Sequence, residues 1–510
     1  MGGIAQIYQL NEGALRSNRS LTESSKRYSK QIKKEIGRMR DNIRHRKPIK
    51  PIPNENDSMR ILFSGRLCNT SDIRKMLKRK HHFLSDQDGE AVLHLYEEVG
   101  EECVHKLEGS YAFIVYAADQ GVNEGIDAGK DGKEGEANRI FIARDPLGVK
   151  PLYISEDEEK VCVASEFKAL SEIAPDFQEF PIGSYYQAGD YTQAEDRFVR
   201  FHSFSAQEPI ATFKDAKLGI QGLLTNAVKQ RIDRNRPFGV YLSGGLDSSI
   251  IAALTAREWA GVDSFAVGMK GSEDLLHARL CAKHLGTKHH EYIYTLEEML
   301  QVLPTVIYHL ESYDAALVRS SVPNYFLAKM AAEPDKVVLS GEGADELFCG
   351  YSYMKSLSEE ERESEAYRLL ETLHSTGLQR GDRMAAAFGM EARVPFLDLD
   401  LIRYALRIPD SMMYGPAGEE KWVLRKAFSH LLPREIVERK KKKFSIGAGS
   451  FDLMRRAAEE RISDREFARH RETTAGHRLK SKEDLFYYRI FHGFYPQRAA
   501  EETVGFSRSL

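Results

Sequence analysis

The chain has 510 residues, which is too long for one hydrophobic core and indicates roughly two to four domains. Its residues are 42% hydrophobic and 29% charged, which is ordinary for a globular protein. The formal net charge of -3 excludes strong electrostatic attraction to nucleic acid or to an anionic membrane. No apolar stretch approaches the roughly 20 residues of a membrane span. We therefore expect a cytoplasmic protein without nucleic-acid or membrane partners.

The five cysteines are scattered along the chain, and no two of them form a CxxC pair. An odd and sparse set argues against both a disulfide framework and a structural zinc site. We expect them to be buried thiols that behave as small hydrophobic side chains. They are Cys68, Cys103, Cys162, Cys281 and Cys349.

The N-terminal stretch is basic and polar. Between residues 16 and 46, apolar side chains recur at helical spacing among many lysines and arginines, which predicts an amphipathic helix with a solvated charged face. These apolar residues are Ile32, Ile36, Met39 and Ile43. The proline-rich residues 48–53 then predict a stiff connector.

Short segments in which polar and apolar residues alternate follow at 60–63, 109–116 and 139–145. Alternation with a period of two, interrupted by glycine-rich breaks, is typical of antiparallel strands, so this part of the chain is predicted to be rich in sheet. Residues 121–138 are rich in Gly, Asp, Glu and Lys. They have too little apolar surface to pack, which predicts a mobile hairpin insertion.

A polar stretch at 206–214 predicts a domain boundary, which we place between residues 208 and 209. Beyond it, a helical pattern of apolar residues begins at Leu218, and strands are predicted at 238–242, 264–268 and 289–292 with helices between them. Such alternation predicts an α/β fold with a doubly wound parallel sheet. In that fold, ligands bind at the carboxyl ends of the strands.

Residues 237–249, PFGVYLSGGLDSS, indicate a buried strand, a glycine turn and the start of a helix. In this arrangement backbone N–H groups and the positive end of a helix dipole converge on one point, which favours a phosphate or pyrophosphate. Gly244 and Gly245 let an anion approach the backbone, and Asp247 can hold a magnesium ion beside it. A Walker-type loop is excluded, because Leu246 and Asp247 stand where that loop needs a lysine.

Residues 336–346, KVVLSGEGADE, repeat this design of a strand followed by glycines and acids. Because parallel strands end at one edge of a sheet, Asp345 is predicted to lie near Asp247. Together they offer two carboxylates to magnesium on a bound pyrophosphate group.

The two loops resemble known signatures. SGGLDSS is similar to the pyrophosphate loop of the ATP pyrophosphatases, and SGEGADELF at 340–348 resembles the second signature of the glutamine-dependent asparagine synthetases. Segments before residue 208 resemble the class II glutamine amidotransferase domain of the same family. They are MGGI at 1–4, RHR at 44–46, LEGSYAF at 107–113, RDPLGVKPLY at 144–153 and ASEFKAL at 164–170.

This resemblance spans nearly the whole chain and implies a fold class for each part. Residues 1–208 are expected to form a degenerate amidotransferase-like (Ntn-type) α+β sandwich domain. Residues 209–510 are expected to form an α/β synthetase domain with a doubly wound parallel sheet, as in ATP pyrophosphatases and other adenine nucleotide alpha hydrolase-like proteins. Family members are often dimers, so the resemblance favours a homodimer.

The resemblance also implies roles for individual residues. Glu342 is a candidate base for the incoming amine, Lys441 would neutralise charge on the α-phosphate and pyrophosphate, and Arg319 would bind the substrate carboxylate. Asp247 and Asp345 would bind magnesium. The expected contacts with ATP and its pyrophosphate are Leu242, Ser243, Gly244, Gly245, Asp247, Ser248, Ser249, Val267, Ser340 and Gly341.

Four further segments continue the family pattern. One of them reads EK at 420–421 and LRK at 424–426. The phrase AFGMEARVPFLD at 387–398 is predicted to pack a helix end and a turn beneath the site. In the basic run at 439–443, residues other than Lys441 are expected to lie on the surface. The aromatic residues at 484–491 predict a packing helix.

The N-terminal part departs from the family at its reactive residues. Gly2 stands where the family has the cysteine that attacks glutamine, and none of the five cysteines lies within the first sixty residues. The family's arginine-bearing segment is missing between Arg46 and Phe63, and Asp88 alone resembles a surviving glutamine-site residue. We expect a domain that keeps its fold without hydrolysis, so the nitrogen donor is predicted to be free ammonia or ammonia from a separate glutaminase.

The segment that binds aspartate in the family reads ESYDAALVR at 311–319 in this chain. It keeps Arg319 but has Ala316 and Leu317 where the family has two threonines. Each lost hydroxyl is typically worth about 1 kcal/mol or more against a buried acceptor. This indicates either weak aspartate binding or another carboxylate.

Three hypotheses therefore stay open. The first is an asparagine synthetase that converts aspartate to asparagine through β-aspartyl-AMP, with ATP and Mg²⁺ as cofactors and AMP and pyrophosphate as products. The second is a specialised amide-forming or lactam-forming ligase similar to β-lactam synthetase or the lasso-peptide cyclases. The third is a non-catalytic homologue, against which the joint retention of Asp247, Asp345, Glu342 and Lys441 argues.

Overall fold

The computed structural model describes residues 2–9, 34, 46–117, 140–157, 160–187, 197–205, 208–442 and 444–507. The chain divides into two compact units, Met1–Ser203 and Phe204–Leu510. The helix predicted between residues 16 and 46 and the insertion predicted at 121–138 lie outside the described residues, apart from residues 34 and 46.

The first unit contains two antiparallel sheets and a short parallel pair. Its strands are β1 (Gly2–Gly3), β2 (Ala5–Gln9), β3 (Lys47–Pro48), β4 (Ile52–Pro53), β5 (Met59–Leu67), β6 (Gly109–Ala117), β7 (Ile140–Arg144), β8 (Tyr153–Glu156), β9 (Lys160–Ala164), β10 (Gln178–Glu179), β11 (Ser184–Gln187) and β12 (Phe198–Arg200). The sheets have the orders β12-β11-β7-β6-β5-β4 and β10-β8-β9-β2, and β1 pairs with β3 in parallel. Among the described residues, the helices of this unit include α1 (Thr70–Leu77) and α2 (Asp88–Val99).

The alternation along β6 explains why the larger sheet is covered on both sides. Tyr111, Phe113 and Val115 point into a core shared with α1 and α2. Ala112 and Ile114 point to the opposite face, where they pack against residues of β8 and β9. Successive side chains of a strand alternate between faces, so one strand supplies both cores and the unit is a sandwich of two sheets with a helical layer.

The proline-rich residues 48–53 were predicted to be a stiff connector only, and this was wrong. Pro48 ends β3, and Pro53 lies in β4, which pairs with β5 at the edge of the larger sheet. Proline lacks an N–H group, and an edge strand tolerates it because one side of the strand needs no partner. The two short strands β3 and β4 were therefore missed because the proline content indicated a connector.

The described strands of the second unit form a five-stranded parallel sheet with the order β15-β14-β13-β16-β17. They are β13 (Phe238–Tyr241), β14 (Asp263–Gly268), β15 (Lys288–Ile293), β16 (Val337–Leu339) and β17 (Glu391–Arg393). The chain runs from β13 outward through β14 and β15, then returns to place β16 on the other side of β13. The order thus reverses between β13 and β16, which is where a doubly wound sheet opens a crevice at its carboxyl edge. The predicted combination of a sheet sandwich and a doubly wound parallel sheet is confirmed.

The helices of the second unit surround this sheet, and none of the described helices is both long and apolar enough to cross a bilayer. They are α3 (Phe213–Arg231), α4 (Leu246–Glu258), α5 (Glu273–Leu285), α6 (Leu296–Leu310), α7 (Ala315–Ala331), α8 (Ala344–Leu347), α9 (Glu359–Thr372), α10 (Gly377–Ala386), α11 (Leu399–Ala405), α12 (Asp410–Met413), α13 (Trp422–Phe428), α14 (Arg434–Val437), α15 (Phe444–Gly447), α16 (Phe451–Arg461), α17 (Asp464–Arg469), α18 (Lys482–Phe494) and α19 (Arg498–Glu502).

The strand β17 corrects the prediction of a helix end and a turn at 387–398. Its sequence is Glu-Ala-Arg, and charged residues at both ends do not indicate a buried strand. The structure buries both charges by pairing them, since Arg393 Nε donates to Glu391 Oε1 at 3.0 Å and Arg236 donates to Glu391 Oε2 at 2.6 Å. Buried charges are tolerated when they are paired and hydrogen-bonded.

Two predictions of burial were also wrong. Leu218 was placed on the apolar face of its helix, but its side chain is 55% exposed, and α3 buries Ile220 and Leu224 instead. Cys68 is half-buried, whereas the other four cysteines are buried as expected. Both errors concern the orientation of a side chain within an element rather than the element itself.

Candidate active site

The loop between β13 and α4 presents backbone N–H groups at the carboxyl edge of the parallel sheet. Gly244 has φ of +70°, and a Cβ atom there would lie 2.4 Å from the backbone nitrogen of Ala278. Only glycine combines that left-handed conformation with such a close approach. Gly245 is the N-cap of α4 and has no side chain that could cap the helix. The first turn of the helix is therefore available to an anion.

The serines of this loop hold its shape. Ser243 Oγ and Ser248 Oγ lie 3.0 Å apart, and the Gly245 N–H donates to Ser243 Oγ at 3.3 Å. Ser248 Oγ in turn lies 3.2 Å from the carbonyl oxygen of Gly245. Ser249 and Leu242, the other predicted nucleotide contacts in this stretch, are fully buried. The hydroxyls of Ser243 and Ser248 are thus the ones that border the loop.

The second glycine loop, after β16, packs directly on the first. A Cβ atom at Gly341 would lie 2.8 Å from the backbone nitrogen of Ser248. Ser340, just before it, is fixed to the sheet because its N–H donates to the carbonyl oxygen of Arg393 at 3.0 Å. Val267 lies in β14 and is 2% exposed. The two loops therefore border one crevice, which we call the switch-point crevice.

Asp247 in the first turn of α4 and Asp345 in the first turn of α8, the helices that follow the two glycine loops, meet at this crevice. Lys421 Nζ lies 2.6 Å from Asp247 Oδ1 and 2.6 Å from Asp345 Oδ1. Lys441 Nζ contacts Asp345 Oδ2 and lies 3.5 Å from Asp247 Oδ2. Two carboxylates and two ammonium groups thus form one cluster, in which each lysine bridges both acids.

The charges in this cluster determine which forms the groups take. Burial alone would raise the pKa of Asp345, but the charges of Lys421 and Lys441 lower it by more, so the carboxyl stays ionised. For Lys441, burial lowers the pKa, and the charges of Asp345 and Asp247 raise it by more, above its ordinary range. Glu346, beside Asp345, behaves differently. Burial first, then the charges of Asp345 and Glu342, raise the pKa of Glu346 to about 7.

The residues present suit a hard divalent cation. Asp247 and Asp345 direct both oxygens of their carboxylates toward shared positive charge, and carboxylate oxygens are preferred ligands of Mg²⁺. The lysines show that this position already accommodates cations. A bound magnesium ion would compete with Lys421 for the same Asp247 and Asp345 oxygens.

Lys421 was not among the predicted site residues. It is 2% exposed and precedes α13 in a left-handed conformation, with φ of +57°. Non-glycine residues rarely adopt that conformation, and they do so often at functional sites. The family resemblance extends over Lys421 but gave it no role, because a single lysine before a short helix resembles any solvated lysine.

The basic run at 439–443 was expected to direct only Lys441 inward, and this was wrong for Arg439. Arg439 donates to the carbonyl oxygen of Ser243 at 3.3 Å and to Asp274 Oδ1 at 2.5 Å, so it supports the first glycine loop. Lys442 lies on the surface, where it pairs with Glu273 at 2.7 Å. Arg439 and Lys441 thus each point toward an acid of the second unit, Asp274 and Asp345.

Glu342 and Arg319 are not among the four groups that pair in the cluster of Asp247, Asp345, Lys421 and Lys441. Glu342 follows Gly341 in the second loop, and its carboxylate is paired with Arg380 of α10. Arg319 lies on α7, where its guanidinium group is 3.4 Å from Glu483 Oε2 and 4.3 Å from the ring centre of Phe451. Glu342 thus belongs to the loop that borders the switch-point crevice, whereas Arg319 contacts α18 and α16.

The segment at 311–319 uses several of its family-like residues for packing. Arg383 donates to Glu311 at 2.7 Å with both side chains fully buried, and Tyr313 Oη lies 2.7 Å from His477 Nδ1. Asp314 caps α7 by accepting from the Leu317 N–H at 2.9 Å. Leu317 itself is 3% exposed. A leucine in place of threonine therefore fills a buried position at the start of α7.

The predicted remnant of a glutamine site lies in the first unit. Gly2 forms part of β1 and pairs with Lys47. Asp88 begins α2, and its carboxylate accepts from the Leu67 N–H at 2.9 Å and from Thr70 Oγ1 at 2.7 Å. Arg66 adds an ion pair at 3.4 Å. The Asp88 carboxylate is thus engaged by three groups of its own chain.

Comparisons with known proteins agree with the predicted resemblance. The model of the asparagine synthase family matches residues 219–366 and 355–508. Two models described as glutamine amidotransferase domains match residues 24–125 and 131–172. The family matches therefore cover both parts of the chain.

Individual relatives match over most of their length. A probable asparagine synthetase (glutamine-hydrolyzing) of Dictyostelium discoideum is 35% identical over 492 residues, which cover 89% of this chain and 84% of the relative. A protein of Schizosaccharomyces pombe with the same name is 35% identical over 489 residues, with the same shares covered. Asparagine synthetase B (glutamine-hydrolyzing) of Escherichia coli is 35% identical over 474 residues, covering 89% of this chain and 82% of the relative.

Proposed function

The chain belongs to the asparagine synthase family, and we propose that it is an ATP-dependent ligase that converts aspartate to asparagine through β-aspartyl-AMP, releasing AMP and pyrophosphate. One observation carries this proposal. Acids from two glycine loops, Asp247 and Asp345, meet at the point where the strand order reverses, together with Lys421 and Lys441. This is the place where doubly wound sheets bind ligands.

The pyrophosphate part of ATP suits the first loop. The start of α4 offers backbone N–H groups, and Ser243 and Ser248 add hydroxyl donors at its border. We assign the contacts of the adenine end to the neighbouring strand β14, near Val267. A magnesium ion held by Asp247 and Asp345 would neutralise part of the charge on the phosphates.

In the first half-reaction, an oxygen of the substrate carboxylate attacks the α-phosphorus of ATP, and the bond to pyrophosphate breaks. Negative charge grows on the leaving pyrophosphate, so a fixed cation stabilises the transition state more than the ground state. Lys441 is suited to this role because the nearby acids raise its pKa, which keeps it protonated. Positioning and electrostatics can supply the rate, since this step needs no protein nucleophile.

In the second half-reaction, ammonia attacks the acyl carbon and AMP departs with the electron pair of the broken bond. The nitrogen loses one proton on the way to the amide. Glu342 follows Gly341 in the loop that borders the crevice, and we assign its carboxylate as the acceptor of this proton. Arg380, which contacts Glu342, would fix the orientation of that carboxylate.

We further propose that the nitrogen donor is ammonia. The relatives are named as glutamine-hydrolyzing enzymes, and the first unit matches amidotransferase models. In this chain, however, Gly2 occupies the position of the nucleophilic cysteine in the MGGI motif. Asp88 is engaged by Leu67, Thr70 and Arg66, which supports a site that no longer receives glutamine. A separate glutaminase is the alternative source of ammonia.

A second candidate is a ligase of the same class that activates another carboxylate. The observation that favours it is the replacement of two threonines by Ala316 and Leu317, with Leu317 buried at the start of α7. Aspartate would lose two hydroxyl donors at this position.

Exchange of radiolabelled pyrophosphate into ATP tests the proposal and separates the candidates. We expect exchange with aspartate, and AMP and asparagine as products when ammonium is added. Exchange only with another acid would favour the second candidate, and no exchange with any acid, or ADP as product, would refute the proposed reaction. Asp247→Asn should abolish exchange, whereas Asp400→Asn, at a side chain that is 62% exposed, should leave it unchanged.

A further inference from the structure

A second cluster of potential ligands lies in the first unit, far along the chain from the switch-point crevice residues. Glu55 is in the turn between β4 and β5, His81 is in the segment between α1 and α2, and His94 and Glu97 lie one turn apart on α2. One ligand atom from each of these four residues lies within 4.8 Å of the others. Three separate segments of the chain thus bring two imidazoles and two carboxylates together.

The distances within this cluster show that the ligand atoms converge. His81 Nδ1 lies 3.3 Å from Glu55 Oε1 and 3.8 Å from Glu97 Oε2. His94 Nδ1 lies 2.7 Å from the same Glu97 oxygen. Ligands around a tetrahedral ion with bonds of about 2.0 Å are separated by about 3.3 Å. The separations of 2.7–3.8 Å in the cluster lie on either side of that value, so small movements of these side chains would fit them to one ion.

Burial distinguishes the cluster from a solvated acidic surface. The His94 side chain is fully buried, and the side chains of His81, Glu97 and Glu55 are 10%, 20% and 34% exposed. Among the described residues, His81 Nδ1 has no hydrogen-bond partner although it is buried. A buried nitrogen that faces two carboxylate oxygens is unfavourable without a positive charge between them.

His81 is also oriented from its outer nitrogen by a further carboxylate. His81 Nε2 lies 3.1 Å from Glu98 Oε1, whereas His94 Nε2 lies 3.8 Å from Glu90 Oε1, which is too far for a hydrogen bond. A carboxylate behind a ligating imidazole sets its tautomer and its direction in metal sites. For His81, a proton on Nε2 toward Glu98 leaves a lone pair on Nδ1, which is the atom that faces the cluster.

The two carboxylates are held in place as well. Asn54 Nδ2 donates to Glu97 Oε1 at 2.6 Å, which leaves Glu97 Oε2 for the cluster. The backbone N–H of His82 donates to Glu55 Oε1 at 2.5 Å. Three of the four ligands, His81, Glu97 and Glu55, are thus oriented by neighbouring groups, as in a built site.

We propose that Glu55, His81, His94 and Glu97 bind one first-row divalent metal ion, with Zn²⁺ as the preferred ion. Imidazole nitrogen selects such metals over Mg²⁺ and Ca²⁺, which prefer oxygen ligands alone. Four protein ligands close the coordination shell, which is typical of a structural site. The ion would fasten the β4–β5 turn and the segment before α2 to α2 itself. The site contains no cysteine, so the cysteine pattern could not reveal it.

Metal binding by the full chain tests this proposal. The protein is stripped with a chelator, loaded with Zn²⁺ in the presence of excess Mg²⁺, and passed over a gel-filtration column before elemental analysis. Magnesium in excess keeps the Asp247 and Asp345 carboxylates from taking up zinc. We expect one zinc ion per chain and a higher melting temperature than that of the stripped protein. Absence of retained zinc would overturn the proposal, and would leave an ion-paired cluster of histidines and glutamates.

Variants then locate the ion. His81→Gln and His94→Gln each remove one ligand, and we expect the zinc affinity to fall about 100-fold or more, because even loss of an outer partner typically costs about 10-fold to 100-fold. Glu98→Gln changes a group that orients His81 and pairs with Lys80 but is not itself a ligand, so it should give that smaller loss. His82→Gln is the matched control, because His82 is an exposed neighbour whose side chain is outside the cluster.

Folding of the variants is checked in the absence of metal. Suppose that His81→Gln melts at the same temperature as the stripped wild-type protein but gains no stability from zinc. The substitution has then removed metal binding without disturbing the fold. Cobalt substitution gives a second readout, since a four-coordinate Co²⁺ ion with these ligands should show strong visible absorption in the wild type and in His82→Gln but not in His81→Gln. Zinc retention by His81→Gln and His94→Gln equal to that of the wild type would overturn the assignment of these ligands.

Discussion

Lys421 and Lys441 bridge the same two acids but differ in how the chain holds them. Lys421 is 2% exposed and left-handed, whereas the Lys441 side chain is 28% exposed. A left-handed non-glycine residue costs roughly 1–2 kcal/mol and persists only where surrounding contacts hold it. The ion pairs of Lys421 with Asp247 and Asp345 are those contacts. Lys421 therefore maintains the acid pair, and Lys441 is the more accessible charge for a substrate.

This difference predicts the behaviour of Lys421→Met. Removing a partner of a buried ion pair typically costs about 3–5 kcal/mol, because the remaining charges are left without compensation. A divalent cation can restore the compensation, since it suits the same carboxylate oxygens. We expect the variant to melt below the wild type and to regain more stability than the wild type does on addition of Mg²⁺. Thermal melting with and without Mg²⁺ measures this.

The control for Lys421→Met is Lys440→Met, because Lys440 is exposed in the neighbouring basic run. It should show the wild-type response to magnesium. Equal magnesium shifts in Lys421→Met and the wild type would contradict the bridging role of Lys421.

Glu346 gives the crevice a pH dependence of its own. In the unfolded chain this carboxyl ionises near its ordinary value of 4.5, whereas in the folded protein burial and the charges of Asp345 and Glu342 raise its pKa to about 7. The folded state thus binds the proton more tightly. The proton bound to Glu346 therefore stabilises the folded state. This contribution to stability is fully present below pH 4.5 and is lost as the pH rises through about 7.

We therefore expect Glu346→Gln to reduce the loss of stability between pH 5 and pH 8. Glutamine keeps an oxygen for the Tyr351 hydroxyl, which lies 2.6 Å from Glu346 Oε1, and it has no proton to lose. From the shift in pKa, the free energy of unfolding of the variant should exceed that of the wild type by on the order of 3 kcal/mol at most at the high end of this range. Melting temperatures across this pH range measure it. Glu361→Gln is the control, because hydrogen bonds from Ser358 lower the pKa of Glu361 below this range. If the melting temperatures of Glu346→Gln and the wild type change with pH in parallel, the raised pKa assigned to Glu346 is refuted.

At the scale of elements, the contact between the two glycine loops brings the acids together. The strands β13 and β16 are neighbours, so their following loops leave the sheet side by side. Gly341 lies where a Cβ atom would be 2.8 Å from Ser248 N and 2.9 Å from the carbonyl carbon of Asp247. Backbone atoms cannot yield as a flexible side chain can, so the loops require glycine at this point.

Gly341→Ala should therefore separate the loops. We expect a loss of about 1–3 kcal/mol in stability from overpacking and at least a tenfold decrease in pyrophosphate exchange, since Asp247 and Asp345 would no longer share cations. Gly222→Ala is a matched control in α3, where an added Cβ meets nothing within 4 Å. It should raise stability by about 0.5–1 kcal/mol through helix propensity and leave exchange unchanged. Unchanged exchange in Gly341→Ala would show that the loop contact is not required.

The elements also show how far the sequence could predict this structure. Strands such as β13 and β14 were evident because their apolar runs have the length and setting of buried strands. β17 was missed because its burial depends on the pairing of Arg393 with Glu391, which only the folded chain provides. Arg439 and Lys421 were missed for a related reason, since the direction of a charged side chain depends on a partner that is distant in sequence.

For the whole molecule, the two units differ in how much of the family site they keep. In the second unit, the glycine loops, both acids and Lys441 are present, and the acids and lysine lie in contact. In the first unit, the sandwich keeps its two cores, while Gly2 stands where the resemblance predicts the nucleophile and Asp88 is engaged by its own chain. Selection for a fold and selection for a reaction act on different residues, so a domain can keep one and lose the other.

This asymmetry predicts the use of nitrogen donors by the intact protein. We expect asparagine formation with ammonium and none above background with glutamine, because Gly2 has no thiol to attack the amide. Gly2→Cys should not restore glutamine use by itself, since Leu67, Thr70 and Arg66 still occupy the Asp88 carboxylate.

Release of glutamate from glutamine measures the activity of the first unit, and asparagine formation with ammonium measures the activity of the second. The glutamine-hydrolyzing relative from Escherichia coli serves as the positive control. Glutamate release by the unmodified chain at a rate near that of the relative would show that another group acts as the nucleophile.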